Sequence, residues 1–134
     1  MIIDAQNAIV GRVATFAAKQ ALQGEDMIIL NAEKAVISGN PLEVRTKYAN
    51  RRHMTQKANP ENAAKWPRRP DLLFKRIIRG MLPKHSGRGR DAAKKIKVYL
   101  GVPKGMEGKG EKFKFTADRL ANKFITMQDI CDGI

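Results

Sequence analysis

Apolar residues recur along this chain in two rhythms, and the rhythm separates helices from strands. Between Val10 and Leu22, the residues Val10, Val13, Ala14, Ala17 and Ala21 fall at spacings of three and four. Those spacings put them on one face of an amphipathic helix, and Gly24 stands where such a helix ends. Short continuous runs flank it, Ile2-Ile3 before and Met27-Ile28-Ile29-Leu30 after. Runs of this length suit buried strands. A further run, Ala35-Val36-Ile37, is closed by the turn sequence Ser38-Gly39-Asn40-Pro41. Strand, helix and strand so close together predict a parallel βαβ unit, and with it an α/β fold class.

Beyond Pro41 the pattern predicts a helix over 42–52 with a basic outer face. Residues 56–70, with three prolines and Trp66, read as loop. A stronger helix is predicted over 71–82. Leu73, Phe74, Ile77, Ile78, Met81 and Leu82 line one face, while Lys75, Arg76 and Arg79 lie off it. Pro70 and Asp71 suit its first turn, and Pro83 stops it. A short helix over 91–95 and a strand over 96–100 follow, then a glycine-rich connection over 101–110. Phe113 and Phe115 have strand spacing, and Thr126 with Asp129 forms the capping box of a last short helix.

The 134 residues carry 26 Lys and Arg against 13 Asp and Glu, a net charge of +13, yet 43% are apolar. That apolar share supports a packed single domain and argues against disorder throughout. One cysteine excludes an internal disulfide, and with two histidines it cannot complete a four-ligand Cys/His zinc site. No apolar stretch approaches the ~20 residues of a membrane span. The opening MIIDAQ lacks the basic region of a signal peptide, so a cytoplasmic protein is expected. The charge is concentrated: residues 45–97 hold seventeen basic side chains against Glu61, Asp71 and Asp91. The other 81 residues hold nine basic and ten acidic ones. Such self-repulsion in one segment implies a polyanionic partner.

Enzyme-like patterns fail on inspection. Gly87-Arg88-Gly89-Arg90-Asp91-Ala92 fits a loose dinucleotide fingerprint, but a helix rather than a strand precedes it. The glycine-rich run to Lys109 lacks the first glycine and the Ser/Thr of a phosphate loop. Cys131 has no histidine nearby in sequence and reads as an ordinary thiol. The basic clusters are the candidate site. Arg45, Lys47, Arg51 and Arg52 form the first, with Lys57 after them. Arg68 and Arg69 form the second, and Lys75, Arg76 and Arg79 the third. Lys84, His85, Arg88, Arg90, Lys94, Lys95 and Lys97 form the fourth. Arginine pairs bidentately with phosphate and stacks on bases. Gly80, Gly87 and Gly89 would let backbone amides approach a phosphate. Tyr48, His53 and Trp66 are candidates for base stacking, although Tyr48 and Trp66 suit core packing equally well. Basic loops rich in glycine and proline fit folded RNA better than duplex DNA, for which no helix-turn-helix or zinc-finger pattern is present. A nuclease-like enzyme and an anionic-membrane-surface module are the alternatives. The first has only three isolated acids in the segment; the second would need the apolar face of the 71–82 helix.

Three stretches stand out: Gly11-Arg12-Val13-Ala14; Leu30-Asn31-Ala32-Glu33-Lys34 through Ile37-Ser38-Gly39-Asn40; and Arg79-Gly80-Met81-Leu82-Pro83-Lys84 with Arg88-Gly89 and Leu100-Gly101. Together they resemble the L-thirteen family of large-subunit ribosomal proteins. The short step from Gly24 to Met27 is similar to archaeal members. The resemblance implies a three-layer α/β/α domain around a four-stranded parallel sheet. It implies binding to large-subunit rRNA, contacts with neighbouring ribosomal proteins, support of early subunit assembly, and neither catalysis nor cofactor. The expected organisation is an rRNA-binding domain over 1–103, carrying the basic segment 45–97, and a tail over 104–134.

Overall fold

The βαβ unit predicted at the start of the chain is present. In the computed structural model, which describes residues 1–133 apart from the Arg119 side chain, β1 (Ile2–Asp4) leads into α1 (Val10–Gln23) and then β2 (Met27–Leu30). β1 and β2 pair in parallel, Ile3 opposite Ile29. α1 ends as its sequence dictates: Gly24 takes a left-handed φ of 104° and donates its N–H to the Ala21 carbonyl. Val10, Val13, Ala14, Ala17, Ala18 and Ala21 form its buried face. Four of these are alanines, and the small side chains let α3 (Pro70–Gly80) and α4 (Gly87–Lys95) pack closely against it.

The main sheet has four parallel strands in the order β4-β2-β1-β5, where β4 is Ile96–Val98 and β5 is Glu111–Lys112. The run at 35–37 forms β3 (Val36–Ser38), which stands outside this sheet and pairs antiparallel with β6 (Phe124–Thr126). α2 (Pro41–His53) follows β3, and α5 (Met127–Asp132) follows β6. Thr126 caps α5 by accepting from the Asp129 N–H at 3.1 Å, while its hydroxyl donates to the Asp129 carboxylate. β5 therefore adds to β1 and α5 packs against α2 and α3, so residues after 103 complete both sheets.

The C-terminal ends of the central strands are tied together by polar contacts. Asn31, buried and left-handed (φ 54°), donates from its amide to Asp4 at 2.8 Å. Its N–H donates to the Gly101 carbonyl, and the Gly101 N–H donates to Glu33 at 3.0 Å. Asparagine is among the few residues that accept this backbone without glycine's entropy cost.

Three elements differ from the sequence expectation. α4 starts at Gly87, four residues earlier than the predicted Asp91. The predicted strand at Phe113 and Phe115 lies two residues upstream, and those rings instead cluster with Phe16, with centroids 5.7 and 5.8 Å apart in successive pairs. Met81 keeps the helical register as the C-cap of α3 but lies at the rim of the core, 43% exposed with its sulfur 3.6 Å from the Thr15 hydroxyl of α1. Leu73, Phe74 and Ile78 do fill the core.

Cys131 is buried in that core. Burial, aided by the Asp132 and Asp71 carboxylates, pushes its thiol up to about 11. A native thiol held protonated reacts slowly with alkylating or disulfide reagents near pH 8. The expected result is negligible labelling of folded protein and complete labelling in urea. Because the folded state holds this proton more tightly, its contribution to stability is intact below the unfolded pKa and disappears as pH rises through 11.

Candidate nucleic-acid interface

The basic segment is built on α2, the loop after it, α3 and α4, and Trp66 sits where the first three meet. The indole is half-buried. Tyr48, almost wholly buried on the inner face of α2, packs edge-on against it with centroids 6.3 Å apart. The Arg76 guanidinium of α3 lies over the indole at 4.2 Å and that of Arg51 at 5.1 Å; Arg51 also lies over Tyr48 at 5.6 Å. Two backbone carbonyls of the loop are also held. Arg52 donates to Trp66 at 2.8 Å, and Arg76 donates to Lys65 at 3.1 Å. Three arginines thus spend part of their hydrogen-bonding or stacking capacity on fixing the loop. Burial raises the Tyr48 pKa, with Arg51 opposing that rise.

Trp66→Ala therefore removes an anchor shared by two helices and a loop. We expect a loss of about 2–4 kcal/mol in urea denaturation, less than full aromatic burial would give because the ring is half-exposed. Limited proteolysis should show faster cutting over 63–69 in the variant.

The other predicted site residues divide by what they touch. Arg45 lays its aliphatic stem against Gly133 at the end of α5. Lys47 and Lys57 are exposed. His53 is exposed and places Nδ1 2.8 Å from the Ala49 carbonyl, leaving its other nitrogen to solvent. Arg69 pairs with Asp71 at 2.8 Å, and Lys94 with Asp91 at 3.5 Å. Arg88 and Lys95 both reach the C-terminal end of α1, donating to the Leu22 carbonyl at 3.3 Å and the Gly24 carbonyl at 2.7 Å. Cations there complement the helix dipole and satisfy terminal carbonyls. Arg68, Arg79, Lys84, His85 and Arg90 are exposed and make no side-chain hydrogen bond among the described residues. These point their full charge at solvent.

Gly89 has a different role from the phosphate approach expected of it. A Cβ built there would stand 1.9 Å from the Pro83 carbonyl oxygen, so the helix backbone is already in contact with the preceding turn. The Gly89 N–H donates to the Ser86 hydroxyl at 3.1 Å, which is the N-cap bond of α4. Gly80 and Gly87 remain open, with nothing within 4 Å of an added Cβ. The sequence signal for this cap was present in Ser86, three residues before Gly89, but two glycines in the first turn masked it.

Asp71 and Asp91 are engaged in ion pairs and Glu61 is exposed on a short turn. Among the described residues no three His, Cys, Asp or Glu side chains are placed to hold a metal ion. The apolar face of α3, which a membrane-surface helix would need, is committed to the core, and no described helix is long and apolar enough to cross a membrane.

Comparison with known proteins agrees with this geometry. The family model described as "Ribosomal protein L13" matches residues 1–105. The large ribosomal subunit protein uL13 of Methanococcus maripaludis is 46% identical over 107 residues, covering 79% of this chain and 78% of its own. The protein of the same name from Haloarcula marismortui is 43% identical over 136 aligned positions, covering all of this chain and 90% of its own. That from Archaeoglobus fulgidus is 36% identical over 135, covering 96% and 83%. The matched span includes the βαβ unit and every basic cluster, so the surface just described lies inside the region of likeness. The chain belongs to the ribosomal protein L13 family.

Proposed function

We propose that this chain is a structural, non-catalytic constituent of the large ribosomal subunit in the cytoplasm. Its α2–loop–α3–α4 surface holds large-subunit rRNA and supports early assembly. The observation that carries the reading is the separation of charge from scaffold. Seventeen basic side chains lie between residues 45 and 97, on a fold whose remaining residues are nearly neutral. A surface of this density is stable next to a polyanion and repels itself without one.

Within that surface the roles follow from what each side chain touches. Arg68, Arg79, Lys84 and Arg90, free of internal partners among the described residues, serve as phosphate contacts. Lys47, Lys57, His85 and Lys94 add charge around them. Arg51, Arg52 and Arg76 fix the Trp66 loop and present their remaining N–H groups to the same RNA. Arg45, Arg88 and Lys95 have one end tied to the fold and contribute chiefly through their fields. His53 and the open part of Trp66 offer surfaces for a base, whereas Tyr48 acts through Trp66. The 1–103 portion forms the binding domain, and the tail over 104–134 braces it through β5 and α5.

Sedimentation of the native protein in a cell extract tests this reading. It should travel with the large subunit and stay there through a moderate salt wash. Its absence from that fraction, or release at low salt, would contradict the proposal. Magnesium-dependent turnover of RNA or DNA, abolished by Asp91→Ala, would favour the nuclease alternative instead.

A further inference from the structure

β4 is an edge strand. β2 pairs with one side of it, and no described strand pairs with the other. Across that pair the Tyr99 N–H donates to the Ile29 carbonyl at 2.9 Å. Strand alternation therefore turns the Val98 N–H and carbonyl outward, away from β2. Val98, with Lys97 and Tyr99, forms one wall of a cleft of about 200 Å³ whose other wall is Asp71, Leu72 and Lys75 of α3. Leu72 is 48% exposed, and Leu100 and Val102, just beyond β4, are 42% and 41% exposed. The cleft itself combines an open ladder edge, the apolar surfaces of Leu72, Val98 and Tyr99, and two cations, with Asp71 already paired to Arg69.

An extended peptide matches all three features together. Its backbone meets Val98, its alternate apolar side chains meet Leu72 and Tyr99, and its carboxylates meet Lys75 and Lys97. Nucleic acid would satisfy the cations but would leave the apolar wall and the ladder edge without matching groups. A second copy of this chain would bring like cations together at the edge, which opposes pairing. We infer that the cleft between α3 and the free edge of β4 docks an extended acidic segment of a neighbouring protein as an added strand. This rests on the placement in the large subunit proposed above.

The test uses assembled large subunits carrying the full chain with a photoreactive benzophenone amino acid in place of Leu72. Irradiation should attach it to a protein, and mass spectrometry should map the adduct to an extended segment containing Asp or Glu. Adding Lys97→Glu, an exposed change, should cut the adduct yield per chain retained in the subunit tenfold or more. Attachment to rRNA alone, no adduct, or a yield indifferent to Lys97→Glu would overturn the inference. If the chain is missing from the subunit even without these changes, the large-subunit reading falls, and the inference with it.

Discussion

Gly89→Ala should destabilise the protein by about 3 kcal/mol or more, although glycine-to-alanine exchange inside a helix normally stabilises by about 0.5–1 kcal/mol. The reversal comes from a single contact. The new methyl would fall 1.9 Å from the Pro83 carbonyl oxygen and within 3 Å of two further Pro83 atoms. Neither the carbonyl nor the buried helix backbone has a flexible end that can swing aside. Relief requires α4 to move away from the 83–86 turn, which strains the Ser86 cap and the packing of Ala92 against the core. A loss of this size corresponds to a fall in Tm on the order of 10 °C. Gly87→Ala, two residues earlier and with nothing near its Cβ, is the control and should be neutral or slightly stabilising. Thermal and urea denaturation of the pair read both effects. Equal behaviour of the two variants would show that the contact with Pro83 does not constrain α4.

Replacing Arg68, Arg79, Lys84 and Arg90 together with glutamine should weaken rRNA binding about a thousandfold at 0.1 M salt, with little change in stability. Each phosphate contact contributes a slope of roughly 0.7–0.9 in log affinity against log salt, so four contacts carry about three to three and a half. Extrapolated from 1 M to 0.1 M, that slope is about three decades. All four side chains are exposed and unpartnered within the described residues, so the fold should not register their loss. Filter binding or fluorescence anisotropy reads the affinity, and urea denaturation checks the fold. The matched set Arg52, Arg76, Arg88 and Lys95 should behave differently. Those residues hold loop and helix carbonyls, so their replacement should lower stability as well as affinity.

The contrast between these two sets marks how far sequence alone reached. Alanine and valine spacing located α1, the apolar runs located β1 and β2, and Thr126 with Asp129 located α5, because each signal is local. Charge mapping located the basic segment for the same reason. What sequence could not separate was a cation aimed at solvent from a cation aimed at a backbone carbonyl. Arg88 and Lys95 look like Arg90 and Lys94 in composition, yet they close the end of α1, some 66 and 71 positions away along the chain. Trp66 and Tyr48 suit core packing and base stacking equally well in sequence, and the Arg51 and Arg76 guanidinia over the indole come from α2 and α3, which no local pattern brings to Trp66. α4 was predicted too short because Gly-Arg-Gly-Arg has low helix propensity. Its cap and its contact with Pro83 are supplied by tertiary structure. The placement of β3 with β6, outside the parallel sheet, depends on pairing across nearly ninety residues. No local pattern encodes it.

The central claim is that a localised basic surface on a neutral scaffold binds rRNA largely through phosphates. Its most direct test is the affinity of the purified protein for large-subunit rRNA measured across salt concentrations. With about six phosphates neutralised, log affinity should fall against log salt with a slope of roughly −4 to −5. A slope near zero would contradict the account.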